Sequence, residues 1–230
     1  MAITKSQIIS DIELQLYGGT ISDDAAIEKS QIAFWASNFL NQFVANECNE
    51  HLKRGQYIPS VYQTQATIEV PILEELEDID EDDERIYIEL DEEVLTLNKD
   101  GGVLTLLDDQ NNEFKKVDIQ TLQMFKHTKF GKPSHDNILY YRQGNRIFLY
   151  GFKPVDIPFE AVQVWFVPKQ NLLEMTDDQE VKVSDLVLPQ VIAATVETGK
   201  LQLYGSQADK TNNAEDDSVP VYHQQIRRPE

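Results

Sequence analysis

Hydrophobic positions recur at helical spacing near both ends of the chain and alternate with polar ones in between. Ile8, Ile9, Ile12 and Leu16 fall on one helical face. Thr4 and Gln7 in front of them have the spacing of a capping box, and Gly18-Gly19 closes the segment. A second helix is predicted from about Ser22-Asp23-Asp24, whose acidic oxygens suit the positive end of the helix dipole. It carries Ile27, Phe34, Trp35, Phe39, Leu40, Phe43, Val44 and Cys48, and stops at Lys53-Arg54-Gly55. Running without a break from Asp24 to Lys53, it spans about 45 Å at 1.5 Å per residue. The short helix before it cannot cover that length, so part of the aromatic surface is expected to pack on another domain or another chain.

In the middle of the chain the period falls to two. Thr67 to Val70 and Arg85 to Leu90 alternate as half-buried strands do. Val94 to Leu97 and Val103 to Leu107 flank the turn-forming Asn98-Lys99-Asp100-Gly101-Gly102, which predicts a hairpin. Ile138 to Tyr141 and Arg146 to Tyr150 flank Gln143-Gly144-Asn145 as a second hairpin, and Ala161 to Val167 forms a last strand before Pro168. Short strands at this spacing argue for an antiparallel β-sandwich or small barrel.

Helical spacing returns with Leu188, Val191, Ile192, Val196 and Leu203 behind a cap at Ser184 or Asp185, with Pro189 tolerable only in the first turn. From Gly205 the chain is polar, and by itself is expected to be a mobile tail. The reading is therefore α+β: an N-terminal helical hairpin (1–65), the central β-rich domain (66–170), a C-terminal helix packing on the N-terminal helices (171–204), and an extended tail ordered only by a partner (205–230).

Charge changes the picture more than composition does. Among 230 residues, 40 acids against 20 bases leave a net charge of −20, while 41% hydrophobic residues place the chain among globular proteins rather than acidic disordered tails. Such a field repels DNA, RNA and anionic lipid, which argues against nucleic-acid recognition. The charge is also segregated. Residues 74–93 hold thirteen acids against Arg85 alone, whereas residues 114–154 hold eight bases, Arg142 and Arg146 among them, against Asp118 and Asp136. An acidic edge and a basic edge on one small domain are complementary between neighbouring copies; a solvated acidic loop and basic face explain the same pattern. No apolar run reaches the ~20 residues that span a bilayer, and the N-terminus lacks the apolar stretch of a signal peptide, so no membrane association is expected. A single cysteine fits a reducing compartment and leaves no internal disulfide.

Candidate chemistry is sparse. His51, His127, His135 and His223 share no i,i+3 or i,i+4 spacing for a metal. Asp78, Asp80, Asp82 and Glu89 imitate a calcium-binding loop, but Asp83 stands where glycine is required and strand follows where a helix is needed. Cys48 beside Glu47 is disfavoured as a thiolate nucleophile. The glycine-rich phosphate loops and the Gly-x-Ser-x-Gly elbow are absent. No catalytic residue, metal or cofactor is expected, and an interaction protein remains. Its candidate contact residues are the helical stripe Phe34, Trp35, Phe39 and Phe43 and the basic pair Arg142 and Arg146.

Three segments carry a resemblance. Ala25-Ala26-Ile27-Glu28-Lys29 leads into Phe39-Leu40-Asn41-Gln42-Phe43; the run from Tyr140 to Tyr150 follows in the β-domain; Leu186 to Ile192 begins a helix that ends near Lys200-Leu201-Gln202-Leu203. In this order the chain resembles the neck ring, or head-to-tail connector (portal adaptor), proteins of crAss-like short-tailed bacteriophages. The likeness covers most of the chain and rests on segment order rather than an invariant motif. It implies a virion structural protein in the neck or tail, assembled in the bacterial host cytoplasm. Such a homo-oligomer, a ring of about twelve copies, stacks on the portal or a neighbouring neck or tail ring and lengthens the channel through which DNA passes without specific binding. The acidic insertion at 74–93 departs from that pattern. Two readings compete: an acidic DNA mimic or regulatory binding protein, and a carbohydrate-binding or hydrolytic β-domain, the latter only if Trp165 or Tyr141 lies exposed in a cleft.

Overall fold

The computed structural model describes residues 3–18, 27–70, 86–98, 102–128, 133–152 and 157–216, with backbone alone at 126–127 and 205–216. A two-residue strand β1 (Ile3–Thr4) opens the chain and enters α1 (Lys5–Tyr17). Thr4 caps α1 through its side chain while Gln7 reaches back to the Thr4 N–H, the reciprocal capping box expected from the spacing. The second helix, α2, is Lys29–Lys53. Glu28 before it is extended, with φ −73° and ψ 148°, so the helix is not continuous from Asp24 and is about 37 Å long rather than 45 Å. The expected start at 22–24 lies outside the described residues. At the far end Gln56 N–H donates to His51 O and Gly55 N–H to Leu52 O, a Schellman closure that needs the left-handed φ of +66° at Gly55.

A 3₁₀ turn (Ser60–Tyr62) leads to β2 (Thr64–Glu69), β3 (Ile86–Glu89), β4 (Val103–Asp108), β5 (Lys115–Lys116), α3 (Ile119–His127), β6 (Leu139–Gln143), β7 (Arg146–Tyr150), β8 (Ala161–Phe166), β9 (Glu180–Val181) and α4 (Leu188–Asp216). Three sheets result: β1-β9, β2-β8-β4 and β3-β7-β6-β5. The β6–β7 hairpin forms as expected, around Gly144-Asn145. The hairpin expected around residues 98–102 does not. Val94 makes one bridge, to Pro168, and β4 pairs with β8 instead. The reason is Val167, which accepts from Leu95 N–H at 2.8 Å and donates to Gly102 O at 2.9 Å, taking the pairing that a local hairpin needs. Nor is the larger sheet wholly antiparallel: β5 runs parallel to β6. The short helix α3, unmarked in the sequence reading, sends Leu122 onto Val117, Leu139 and Tyr141. Among the described residues no sheet closes into a barrel.

Two cores share the work. In one, the three-stranded and four-stranded sheets face each other through Leu106, Val162 and Val164 against Ile86, Ile147 and Leu149. In the other, Ile8 and Ile12 of α1, Ile32, Ala36, Leu40 and Val44 of α2 and Val191 and Val196 of α4 pack together. Pro189 is the second residue of α4, where its missing N–H costs nothing. The helix then runs to Asp216, well past Gly205, where the sequence reading ends it.

The segment after β8 laces the cores together. Leu95, Leu97, Val167 and Leu172 belong to the helical core although their neighbours belong to the sheets. The Asn41 side-chain amide accepts from Gln170 N–H at 2.9 Å and donates to Gln170 O at 2.8 Å, standing in for a strand neighbour. Gln170 repeats the device one layer out, its own amide bonding Lys182 N–H and O at 2.7 Å each. Ser37 Oγ donates to Ala33 O and accepts from Leu172 N–H.

Asn41→Ala strands both backbone groups of buried Gln170 and should lower stability by about 2–4 kcal/mol in urea titration. At Gly102, φ is +84° and an added Cβ would sit 1.9 Å from Leu95 O, whereas at Gly55 it meets nothing within 4 Å. Gly55→Ala should therefore cost about 1 kcal/mol and Gly102→Ala more than twice that, measured the same way.

Candidate interaction surfaces

The aromatic stripe of α2 divides. Trp35, Phe39 and Phe43 are half-buried against the helical core, with Phe39 and Phe43 stacked at 6.3 Å, so most of that surface is covered within the chain. Phe34 is 51% exposed and lies beside Leu173 on the wall of a cleft of about 540 Å³. The same cleft is lined by Asp91, Glu92 and Glu93 together with Lys169 and Lys182.

The basic pair also divides. Arg146, at the exposed end of β7, faces Glu89 across the β3–β7 ladder at 3.5 Å and lies over the Tyr87 ring at 4.9 Å. Part of the basic edge is thus already spent on the acidic one inside a single chain. Most of the acidic run, 74–85, lies outside the described residues. Arg142 is half-buried; its Nη2 reaches Val94 O at 3.5 Å and its buried Nη1 has no partner among the described residues. Burial lowers its pKa, an effect opposed by Glu93. It borders an open cavity of about 730 Å³ with Tyr141 and the first residues of α3.

Two aromatic residues set the condition for a sugar site. Tyr141 is buried, stacked on Phe148 at 4.9 Å and on Tyr150 at 5.9 Å. Trp165, on the outer face of β8, does line a cleft of about 430 Å³ with Leu52, Tyr57 and Leu104. The polar groups described there are Gln56, Gln63 and Thr105, so the paired carboxyls that glycoside hydrolysis requires do not line it.

Other reactive groups are built into structure. Cys48 is fully buried in α2, and burial, reinforced by Glu47, pushes its thiol up to about 12. Tyr62, also buried, donates to Glu47, which accepts from Ser184 Oγ at 3.0 Å as well; burial and that bond raise the phenol above its usual value. Glu89, the last ligand of the calcium-like spacing, is engaged by Arg146, and Asp78, Asp80 and Asp82 lie outside the described residues. Among the described residues no cluster of three His, Cys, Asp or Glu could hold a metal, and no helix is long and apolar enough to cross a membrane.

A family model described as phage tail ring protein 2 matches residues 7–218. The chain belongs to that family. No curated protein matches it. The match spans the helical layer, both larger sheets and α4, so every surface described above belongs to the tail ring unit. A tail ring protein is a structural component of a phage virion, and its copies assemble as an oligomeric ring with other tail proteins.

In this tail ring protein, periodicity could find the aromatic stripe but not how much of it a fourth helix would cover. It also missed Tyr57, 96% exposed, and Leu201 and Tyr204, 68% and 66% exposed on α4. The only signal for Tyr57 was its place in a loop between Gly55 and Pro59, where no helix or strand face claims it.

Cys48 gives a test of the packing. A thiol whose folded pKa is raised contributes stability below its unfolded value, near 9, and that contribution fades as pH climbs toward 12. Chemical denaturation from pH 8 to 11.5 should show a steeper loss for the native sequence than for Cys48→Ala. At pH 8 a thiol reagent should label Cys48 only after denaturant is added.

Proposed function

We propose that this tail ring protein is a head-to-tail connector that closes into a ring of about twelve copies, binds the portal or a neighbouring neck ring, and lengthens the channel for DNA ejection. The observation that carries the reading is the family match over residues 7–218. Its chemistry is consistent with that role. A wall in contact with moving DNA benefits from few Lys and Arg contacts, because each one adds salt-dependent binding to phosphate. A net charge of −20 provides a repulsive lining wherever the acids face inward, and DNA passes without specific binding. Around such a channel the helical units, 1–65 and 171–204, and the β-rich unit, 66–170, meet neighbouring subunits through different surfaces. The role needs no catalytic residue and no cofactor, and assembly takes place in the host cytoplasm.

Like-charged copies repel, so the contacts between them must combine apolar burial with opposite charge. Phe34 is the member of the aromatic stripe most available for this, and Arg146 and Arg142 are the basic candidates; Trp35, Phe39 and Phe43 contribute through their partly exposed edges.

Electron microscopy and native mass measurement of the purified chain, alone and mixed with portal, should show closed rings whose mass is a multiple of 26.4 kDa. Phe34→Asp should leave the fold within about 1 kcal/mol of the native stability while weakening assembly. A chain that stays monomeric with and without portal, and that blocks a restriction nuclease, would instead identify an acidic DNA mimic.

A further inference from the structure

A ring of identical subunits joins one patch on each copy to a different, complementary patch on the next. Two candidate patches lie at opposite ends of α2. Helices α2 and α4 run antiparallel, tied by Gln31 to Gln202 at 3.0 Å at one end and by Glu47 to Ser184 at 3.0 Å at the other. Near the first tie, Leu201 and Tyr204 stand in solvent, and among the described side chains of α4 the last one packed on the core is Leu203. The helix nonetheless continues through residues 205–216, about 18 Å of backbone. In that stretch Ala208 and Ala214 are the apolar side chains, and Thr211-Asn212-Asn213 are weak helix formers. A helix so polar is marginal without something to pack against.

At the other end of α2 lies the cleft of about 430 Å³, walled by Leu52, Ile58, Leu104, Leu107 and Trp165, with Tyr57 at its rim. From Gln31 to Leu52 is about 32 Å along the helix, so the cleft cannot take the α4 end of its own chain. Charge favours the pairing between chains. Exposed Arg54 lies in the turn just after Leu52 of the cleft wall, beside Lys53, which is paired with Glu50 at 2.7 Å, whereas residues 205–216 carry Asp209, Glu215 and Asp216 against Lys210 and end on the negative pole of a helix dipole.

We infer that the distal end of α4 in one copy, led by Leu201 and Tyr204, seats in the Tyr57–Trp165 cleft of a second copy of this chain. The inference rests on the ring reading above and names the contact that closes the ring. It is head to tail: each copy gives its α4 end to one neighbour and receives one from the other.

Two variants at exposed positions test it: Tyr57→Asp spoils the cleft, and Leu201→Asp with Tyr204→Asp spoils the helix end. Native mass measurement is made on the full chain, the variants separately and as an equal mixture, with circular dichroism confirming the fold. Each variant alone should need at least about tenfold more protein to assemble than the native chain. Mixed, they should form dimers and nothing larger, because only one of the two possible joints has both halves intact. Rings from both variants alone would overturn this contact and leave the ring reading standing. Variants that are monomeric alone and remain so when mixed would overturn the pairing of these two surfaces. A native chain that never assembles, even with portal, would remove the ring reading and this contact with it.

Discussion

The fold depends on one polar clamp inside an otherwise apolar joint. Asn41, in the middle of α2, bonds both backbone groups of Gln170 just beyond β8, and Gln170 uses its own amide on Lys182. These bonds satisfy backbone groups that leave a sheet edge and would otherwise be buried unpaired, an expensive outcome in a low-dielectric interior. They also fix register. Once Gln170 is held, Val167 and Leu172 must enter the helical core while Phe166 stays in the sheet core. The helical layer and the sheets are thereby set relative to each other by directional bonds, with hydrophobic burial supplying most of the stabilisation.

Charge imposes the second constraint. Among the described residues the acids pair as Glu89 with Arg146, Glu93 with Lys169 at 2.8 Å, Glu50 with Lys53 at 2.7 Å, Asp177 with Lys5 at 3.3 Å, and buried Glu13 with exposed Lys29 at 3.5 Å. The exposed pairs contribute under about 1 kcal/mol each, so they add little to the fold and leave most of its field in place. A subunit of net −20 tolerates assembly only where apolar area and local basic groups coincide. That coincidence is met at the end of α2, where Arg54 and Tyr57 are exposed close together, and in the Phe34 cleft, where Lys169 and Lys182 stand among the acids of the lining.

Several elements were legible from local rules. The Thr4–Gln7 capping box, the stop at Gly55, the Gly144-Asn145 hairpin and Pro189 in the first turn of α4 are decided by residues within a few positions of each other. The failures share a different cause. The hairpin expected around 98–102 obeyed turn chemistry, yet Val167, some seventy residues away, outcompeted it for both strands. The parallel pairing of β5 with β6 likewise depends on where α3 returns the chain. Strand partnership is a contest among distant segments, and periodicity does not record the contestants.

The amino-acid sequence by itself determined the class of molecule: an acidic α+β chain whose apolar residues mark helices and strands, because composition and spacing act locally and additively. The tertiary structure alone decided which of those apolar residues remain outside. Phe39 and Phe43 were mostly covered by their own chain while Phe34, Tyr57 and Tyr204 were left in water, and that division follows from how the described helices and sheets share a limited interior.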